Sequence, residues 1–211
     1  MAYSVDIYDI NGKLVWEEKL NETLYSDDLV NESLIHEFYL LQASNWRQNL
    51  AKVKWRWEVK VSWKKLYKQK GTWNARSGGK DSPTRKWGWV AFGPRWERNF
   101  VKWMNIKQRR LALQWLLTLK AKSKDIIWLK SFELKEPKTK KANEIISNLW
   151  LNNSKILFVI SQKDENICKS FRNLEKVKYL LVDYLNPQDI MTCDKMLINE
   201  SALAKINTIK E

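Results

Sequence analysis

Residues 49–97 set the tightest limit on what this chain can become. They carry 13 Lys and Arg against three acidic residues, a net of +10, with neither helical nor strand periodicity. Pro83, Pro94 and five of the six glycines also lie there. So long a stretch without regular structure argues against a compact assignment unless it is functional or ordered by a partner. Its charges repel one another, and its apolar surface is too small to offset chain entropy. A polyanion would supply what is missing, because phosphates neutralise such a segment.

The rest of the chain is charged differently. Residues 1–48 sum to −6, residues 98–124 to +8 with no acidic side chain, and residues 125–211 to +2. The overall +14 and the pI near 9.7 therefore come from one central block. Charge concentrated in this way is a binding device rather than a solubility device. With 211 residues, the chain has room for one domain with a real core. No apolar run approaches the ~20 residues of a membrane span. The opening Met1-Ala2-Tyr3-Ser4-Val5-Asp6 lacks the features of a signal or transit peptide. Cys168 and Cys193 make neither a disulfide framework nor a zinc site, and a cytoplasmic location is expected.

Outside the basic block the periodicities are clear. Residues 3–8 and 13–17 alternate around Asn11-Gly12, a hairpin signal. Residues 32–47 have helical spacing, with Asn31 as cap. The spacing predicts further helices at 105–121, 138–149, 165–171 and 200–209, and strands at 126–129, 155–160, 177–182 and 195–198. The run Lys155-Ile-Leu-Phe-Val-Ile160 is of the kind buried on both faces. This alternation predicts an α/β fold: a single layered domain with a largely parallel central sheet flanked by helices, plus a long basic extended loop. The globular part is expected over 1–48 and 98–211, with 49–97 inserted in it.

Nothing in the sequence assembles an active site. His36 is the only histidine, and it lies in a helical segment. No Gly-x-Gly-x-x-Gly or Walker pattern follows a predicted strand, and no acidic cluster has metal-ligand spacing. No catalysis, cofactor, metal or small-molecule substrate is expected. In the basic block, cations alternate with aromatics, as in Lys54-Trp55-Arg56-Trp57 and Arg85-Lys86-Trp87-Gly88-Trp89. Cations contact phosphates and rings stack on unpaired bases. The side chains expected on RNA are Arg47, Lys52, Lys54, Arg56, Lys60, Lys64, Lys65, Lys68, Lys70, Arg76, Lys80, Arg85, Lys86, Arg95, Arg109 and Arg110. A non-ribosomal RNA-binding or RNA-processing factor on an α/β scaffold is the alternative reading of the same pattern.

Specific stretches narrow the choice. Lys68-Gln69-Lys70-Gly71-Thr72, Ala75-Arg76-Ser77-Gly78, Ser82-Pro83 and Phe92-Gly93-Pro94 occur in order. They are followed by Arg109-Arg110-Leu111-Ala112-Leu113, Phe132-Glu133 and Glu136-Pro137-Lys138-Thr139-Lys140. With Asp164-Glu165-Asn166, Arg172-Asn173-Leu174 and Asp194-Lys195, they resemble the bacterial form of the universal ribosomal protein L-four family along essentially the whole chain. The resemblance implies a large-subunit structural protein without catalysis, whose loop is buried in large-subunit ribosomal RNA beside neighbouring ribosomal proteins. It also implies a loop tip at the wall of the peptide exit tunnel, formed here by Lys60, Ser62, Trp63, Lys64, Lys65, Leu66 and Tyr67. A ribosome-bound, membrane-free protein active in early subunit assembly is the expectation.

One departure from that family recurs. Trp16, Trp57, Trp63, Trp73, Trp87, Trp89 and Trp150 stand where the family usually has Gly or, at Trp57, Gly or Ala. The chain has 13 Trp and six Gly, although about 7% Gly is usual. An indole is a poor substitute where φ is positive or a backbone lies against another chain. Repetition points to one cause: a UGA codon, read as glycine in some bacterial lineages, written out as tryptophan. Restoring ten of the 13 would leave 16 Gly and three Trp, an ordinary composition. The competing reading is real tryptophans stacked on RNA bases.

Overall fold

The computed structural model describes residues 3–21, 25, 30–130 and 136–208. Its contacts divide the chain into two units, one formed by Met1–Ser44 with Lys102–Glu211 and the other by Asn45–Val101.

The first unit is built on a six-stranded sheet of order β2-β1-β3-β6-β4-β5. The strands are β1 (Ser4–Tyr8), β2 (Leu14–Lys19), β3 (Ile126–Leu129), β4 (Ile156–Ile160), β5 (Val177–Leu181) and β6 (Lys195–Asn199). Only the β1–β2 pair is antiparallel; the four other pairings are parallel. Gly12 closes the β1–β2 hairpin at φ +74°. A Cβ there would also stand 2.2 Å from the Asn148 carbonyl oxygen, so conformation and space both call for glycine.

Helices cover both faces. They are α1 (Glu32–Trp46), α2 (Ile106–Lys122), α3 (Thr139–Asn148), α4 (Glu165–Phe171), α5 (Pro187–Thr192) and α6 (Glu200–Thr208). Alternation along β4 sends Leu157 and Val159 into one core with Ile35 of α1, Leu113, Leu116 and Leu117 of α2, Ile190 of α5 and Ile206 of α6. Ile156, Phe158 and Ile160 enter a second core with Ala142, Ile145 and Ile146 of α3 and Ile167 and Phe171 of α4. The Phe158 and Phe171 rings lie 5.0 Å apart. All five β4 residues are buried, as a strand covered on both faces must be. This is the expected α/β architecture.

Most boundaries fall within two residues of the periodicity. The Asn31 side chain accepts the Leu34 amide at 3.3 Å, which makes it the cap of α1. Residue 209, the last expected for α6, and Phe132-Glu133 lie outside the described residues. Sequence periodicity missed α5, a helix of six residues and too short to show a period. Its start signal was nonetheless present: Asn186 caps it by accepting the Asp189 amide at 2.9 Å, and Pro187 occupies the first turn. Both cysteines are buried free thiols, and burial pushes the Cys193 thiol up.

The junction of α2, β3 and β6 is fastened by Asp125. Its carboxylate receives the Lys195 ammonium at 2.7 Å and the Ser123 hydroxyl at 2.6 Å, with Lys120 at 3.8 Å. Burial pushes this carboxyl up, but the hydrogen bonds and cations outweigh it and hold Asp125 below its ordinary value. Its contribution is therefore complete above the ordinary carboxylate range, near pH 4, and is lost as pH falls through the lowered value. Asp125→Asn should cost about 1–2 kcal/mol at neutral pH. Thermal unfolding across a pH series should show the variant and parent converging in acid; a pH-independent gap would refute this role.

Candidate nucleic-acid interface

Beyond the end of α1 at Trp46, the unit Asn45–Val101 contains no helix or strand and is held by a few specific contacts. Asn49 donates its side-chain amide to the carbonyls of Arg95 (2.8 Å) and Arg98 (3.1 Å), and the Val53 amide donates to the Pro94 carbonyl at 3.2 Å. Further along, Arg56 Nε meets Asp81 Oδ2 at 2.9 Å, and the Leu66 amide donates to the Gly78 carbonyl at 3.2 Å. Tyr67 donates its hydroxyl to the Ala75 carbonyl. These pairings nest, so the chain runs out and returns antiparallel to itself, reversing within 68–74. Lys60–Tyr67 lies on the outgoing side of that reversal.

Close approach shapes the return path. A Cβ at Gly88 would stand 1.9 Å from the Ser82 carbonyl oxygen, a contact no side chain can accept. The Trp89 amide donates to the Asp81 carbonyl at 3.0 Å and the Arg85 amide to that of Ser82 at 3.0 Å.

Two of the three acids of this stretch are already occupied. The Asp81 side chain is only 7% exposed and faces Arg56. Glu58 accepts the Trp55 amide at 3.0 Å and the Lys52 ammonium at 2.9 Å. The backbone hydrogen bond and then Lys52, with Lys54 adding to the field, hold the Glu58 carboxyl below the usual range. These carboxylates fasten the unit to itself and leave most of its cations uncompensated. Among the described residues, the charged groups of Lys60, Lys64, Lys68, Lys70, Arg76, Lys80 and Lys86 meet no hydrogen-bond or ion-pair partner, and all seven residues are exposed.

The other expected RNA contacts are partly engaged within the chain. Lys65 reaches Gln69 and Arg85 reaches Ser77. Arg95 lies 3.3 Å over the Trp55 ring, and Arg47 lies 4.4 Å over Phe100. Trp57 and Trp63 stack at 5.0 Å, with Arg56 above both rings. Arg109 and Arg110 belong to the first unit, in the first turns of α2; Arg109 Nε is buried without a partner among the described residues. Ser62 and Leu66 are exposed. The structural role of Asp81 escaped the sequence reading. Its signal was its isolation, as one carboxylate between Lys80 and a run of further cations, where an acid has value only as a tie.

No grouping of His, Cys, Asp and Glu among the described residues could hold a metal ion, and no helix is long and apolar enough to cross a membrane. A cavity of about 500 Å³ beside β4 and β5 is lined by Lys155, Lys176, Lys178, Asp189 and Cys193 among others. Lys178 is tied to Asp189, and the burial-raised Cys193 thiol has no activating base there.

Fold and site together define a doubly covered α/β domain carrying a cationic extension. The chain belongs to the ribosomal protein L4/L1 family, whose model matches residues 19–209. It is 35% identical over 202 residues to the large ribosomal subunit protein uL4 of Halothermothrix orenii, covering 96% of each chain. It is 38% identical over 206 residues to that of Prochlorococcus marinus, again with 96% of each covered. The Spiroplasma kunkelii protein of the same name is 31% identical over 205 residues, covering 97% of this chain and 98% of its own. The family is a structural, non-enzymatic ribosomal component.

The contacts of Asp81 can be tested alone. Asp81→Asn keeps the size but removes the charge that holds Arg56. Hydrogen exchange should accelerate at the Val53 and Trp89 amides and stay unchanged in β3, β4 and β6; unchanged exchange at both amides would contradict the assignment.

Proposed function

We propose that this chain is a structural constituent of the large ribosomal subunit, ribosome-bound in the cytoplasm, that grips large-subunit ribosomal RNA with the unit Asn45–Val101. The observation that carries the reading is the set of exposed cations left without partners after Asp81 and Glu58 are occupied. Family membership supplies the context in which an RNA would meet them.

The globular α/β domain acts as the anchor, and the inserted segment 49–97 makes most of the contacts. Arg47, Lys52, Lys54, Arg56, Lys60, Lys64, Lys65, Lys68, Lys70, Arg76, Lys80, Arg85, Lys86 and Arg95 face phosphates, and Arg109 and Arg110 add contacts from α2. The stretch Lys60–Tyr67 lines the peptide exit tunnel beside neighbouring ribosomal proteins, with Lys64 and Lys65 nearest the lumen. Neutralising the segment while rRNA folds gives the protein its part in early assembly, since each phosphate contact releases condensed counterions.

Such binding is steep in salt. With about 6–10 phosphate contacts, affinity for large-subunit RNA should fall by about 10³–10⁵ between 50 and 200 mM salt. Lys64→Glu with Lys65→Glu should reduce incorporation into large subunits, measured by co-sedimentation after a high-salt wash. The thermal midpoint of the full chain should stay unchanged. Normal incorporation of the variant, or a parent chain found only in a freely soluble pool with no ribosomal association, would refute the proposal.

A further inference from the structure

A positive φ is where the backbone itself separates glycine from other residues, because a Cβ there meets the neighbouring carbonyl. Five non-glycine residues among those described adopt it: Trp73 (+53°), Trp87 (+70°), Phe92 (+55°), Lys124 (+54°) and Trp150 (+61°). Tryptophan supplies 13 of the 211 residues but three of these five. The indoles gain no burial within the chain in exchange, since Trp73, Trp87 and Trp150 are 103%, 82% and 90% exposed.

The hydrogen bonds around them show what the backbone needs. At the end of α3 the Trp150 amide donates to the Ser147 carbonyl and the Leu151 amide to that of Ile146, both at 3.1 Å. This is the Schellman closure, whose left-handed residue is usually glycine. Its apolar contact is present too, because Leu151 and Ile146 share one buried cluster. Trp87 is the third residue of a turn closed by the Gly88 amide on the Arg85 carbonyl at 3.0 Å, the place that requires glycine in a type II turn. Trp73 follows Gly71, itself at φ +81°, by two residues.

Seven of the other ten tryptophans also leave the ring exposed, although an indole usually buries its ring and pairs its N–H. Trp128 is buried, and its indole nitrogen has no partner among the described residues.

We propose that positions 73, 87 and 150 are glycine in the protein as its own ribosomes make it, each specified by a UGA codon. UGG and UGA are the codons that genetic codes assign to tryptophan, and a lineage reading UGA as glycine yields a chain written this way. At 73 and 87 the Asn45–Val101 unit then offers RNA bare backbone between its cations instead of indole rings. That consequence for the interface rests on the RNA-binding reading above; the identity of the three residues does not.

Peptide masses decide the identity without any binding assay. The protein recovered from its source cells is cut with trypsin, and fragments 71–76, 87–95 and 142–155 are weighed and sequenced. Glycine at 73, 87 and 150 is expected, with UGA at each codon in the gene; tryptophan in those fragments, or UGG codons, overturns the proposal. In recombinant full-length chain, Trp150→Gly should raise the thermal midpoint by about 2–4 °C, and no rise would contradict the backbone argument. Trp73→Gly with Trp87→Gly should tighten binding to large-subunit RNA about tenfold. Glycine fragments together with unchanged binding would uphold the decoding and remove its consequence for the interface.

Discussion

The cations of residues 49–97 outnumber the carboxylates available to answer them, and the other properties of the molecule follow from that imbalance. Asp81 and Glu58 are occupied by Arg56 and Lys52, so the unit holds its path but cannot cancel its charge. A chain in that state gains little by collapsing onto itself, because collapse brings like charges closer. It gains much from a polyanion, because counterion release then drives the association. The α/β domain is held by apolar burial instead. Its apolar side chains are divided between two cores, one on each side of the sheet, and it needs no partner to bury them.

This division of labour explains why the chain reads as two materials. A parallel sheet needs crossovers, and the connection from β1 and β2 to β3 contains α1, the Asn45–Val101 unit and α2. Inserting the cationic segment between two helices of one crossover leaves strand order and register to the domain. Asp125 then secures the point where the chain re-enters the sheet, through Lys195 on the neighbouring strand and Ser123 at the end of α2.

Much of the domain was legible in the sequence, for a physical reason. Burial on one helix face imposes a period and burial on both strand faces a continuous apolar run, and β3 and α4 could be bounded to the residue. What carried no period was lost: α5 is too short, and its Asn186-Pro187 start passed unnoticed. The interface was legible as charge but not as geometry. Lys60, Lys64 and Arg76 could be named because a cation without a neighbouring acid is visible in one dimension. The tie between Arg56 and Asp81 spans 25 positions in a segment with no ladder to predict it, and only coordinates reveal it. The tryptophans pose the opposite case, where sequence pattern and backbone point different ways. Their interleaving with lysine suggests stacking on bases, but the backbone at Trp73 and Trp87 is in a conformation that favours glycine.

A density map of the large subunit from the source organism tests the central claim most directly. Residues 49–97 should be encased in ribosomal RNA, with phosphate oxygens within hydrogen-bonding distance of the charged groups of Lys60, Lys64, Lys68, Lys70, Arg76, Lys80 and Lys86. A map showing this segment projecting into solvent, or packed chiefly against protein, would contradict it.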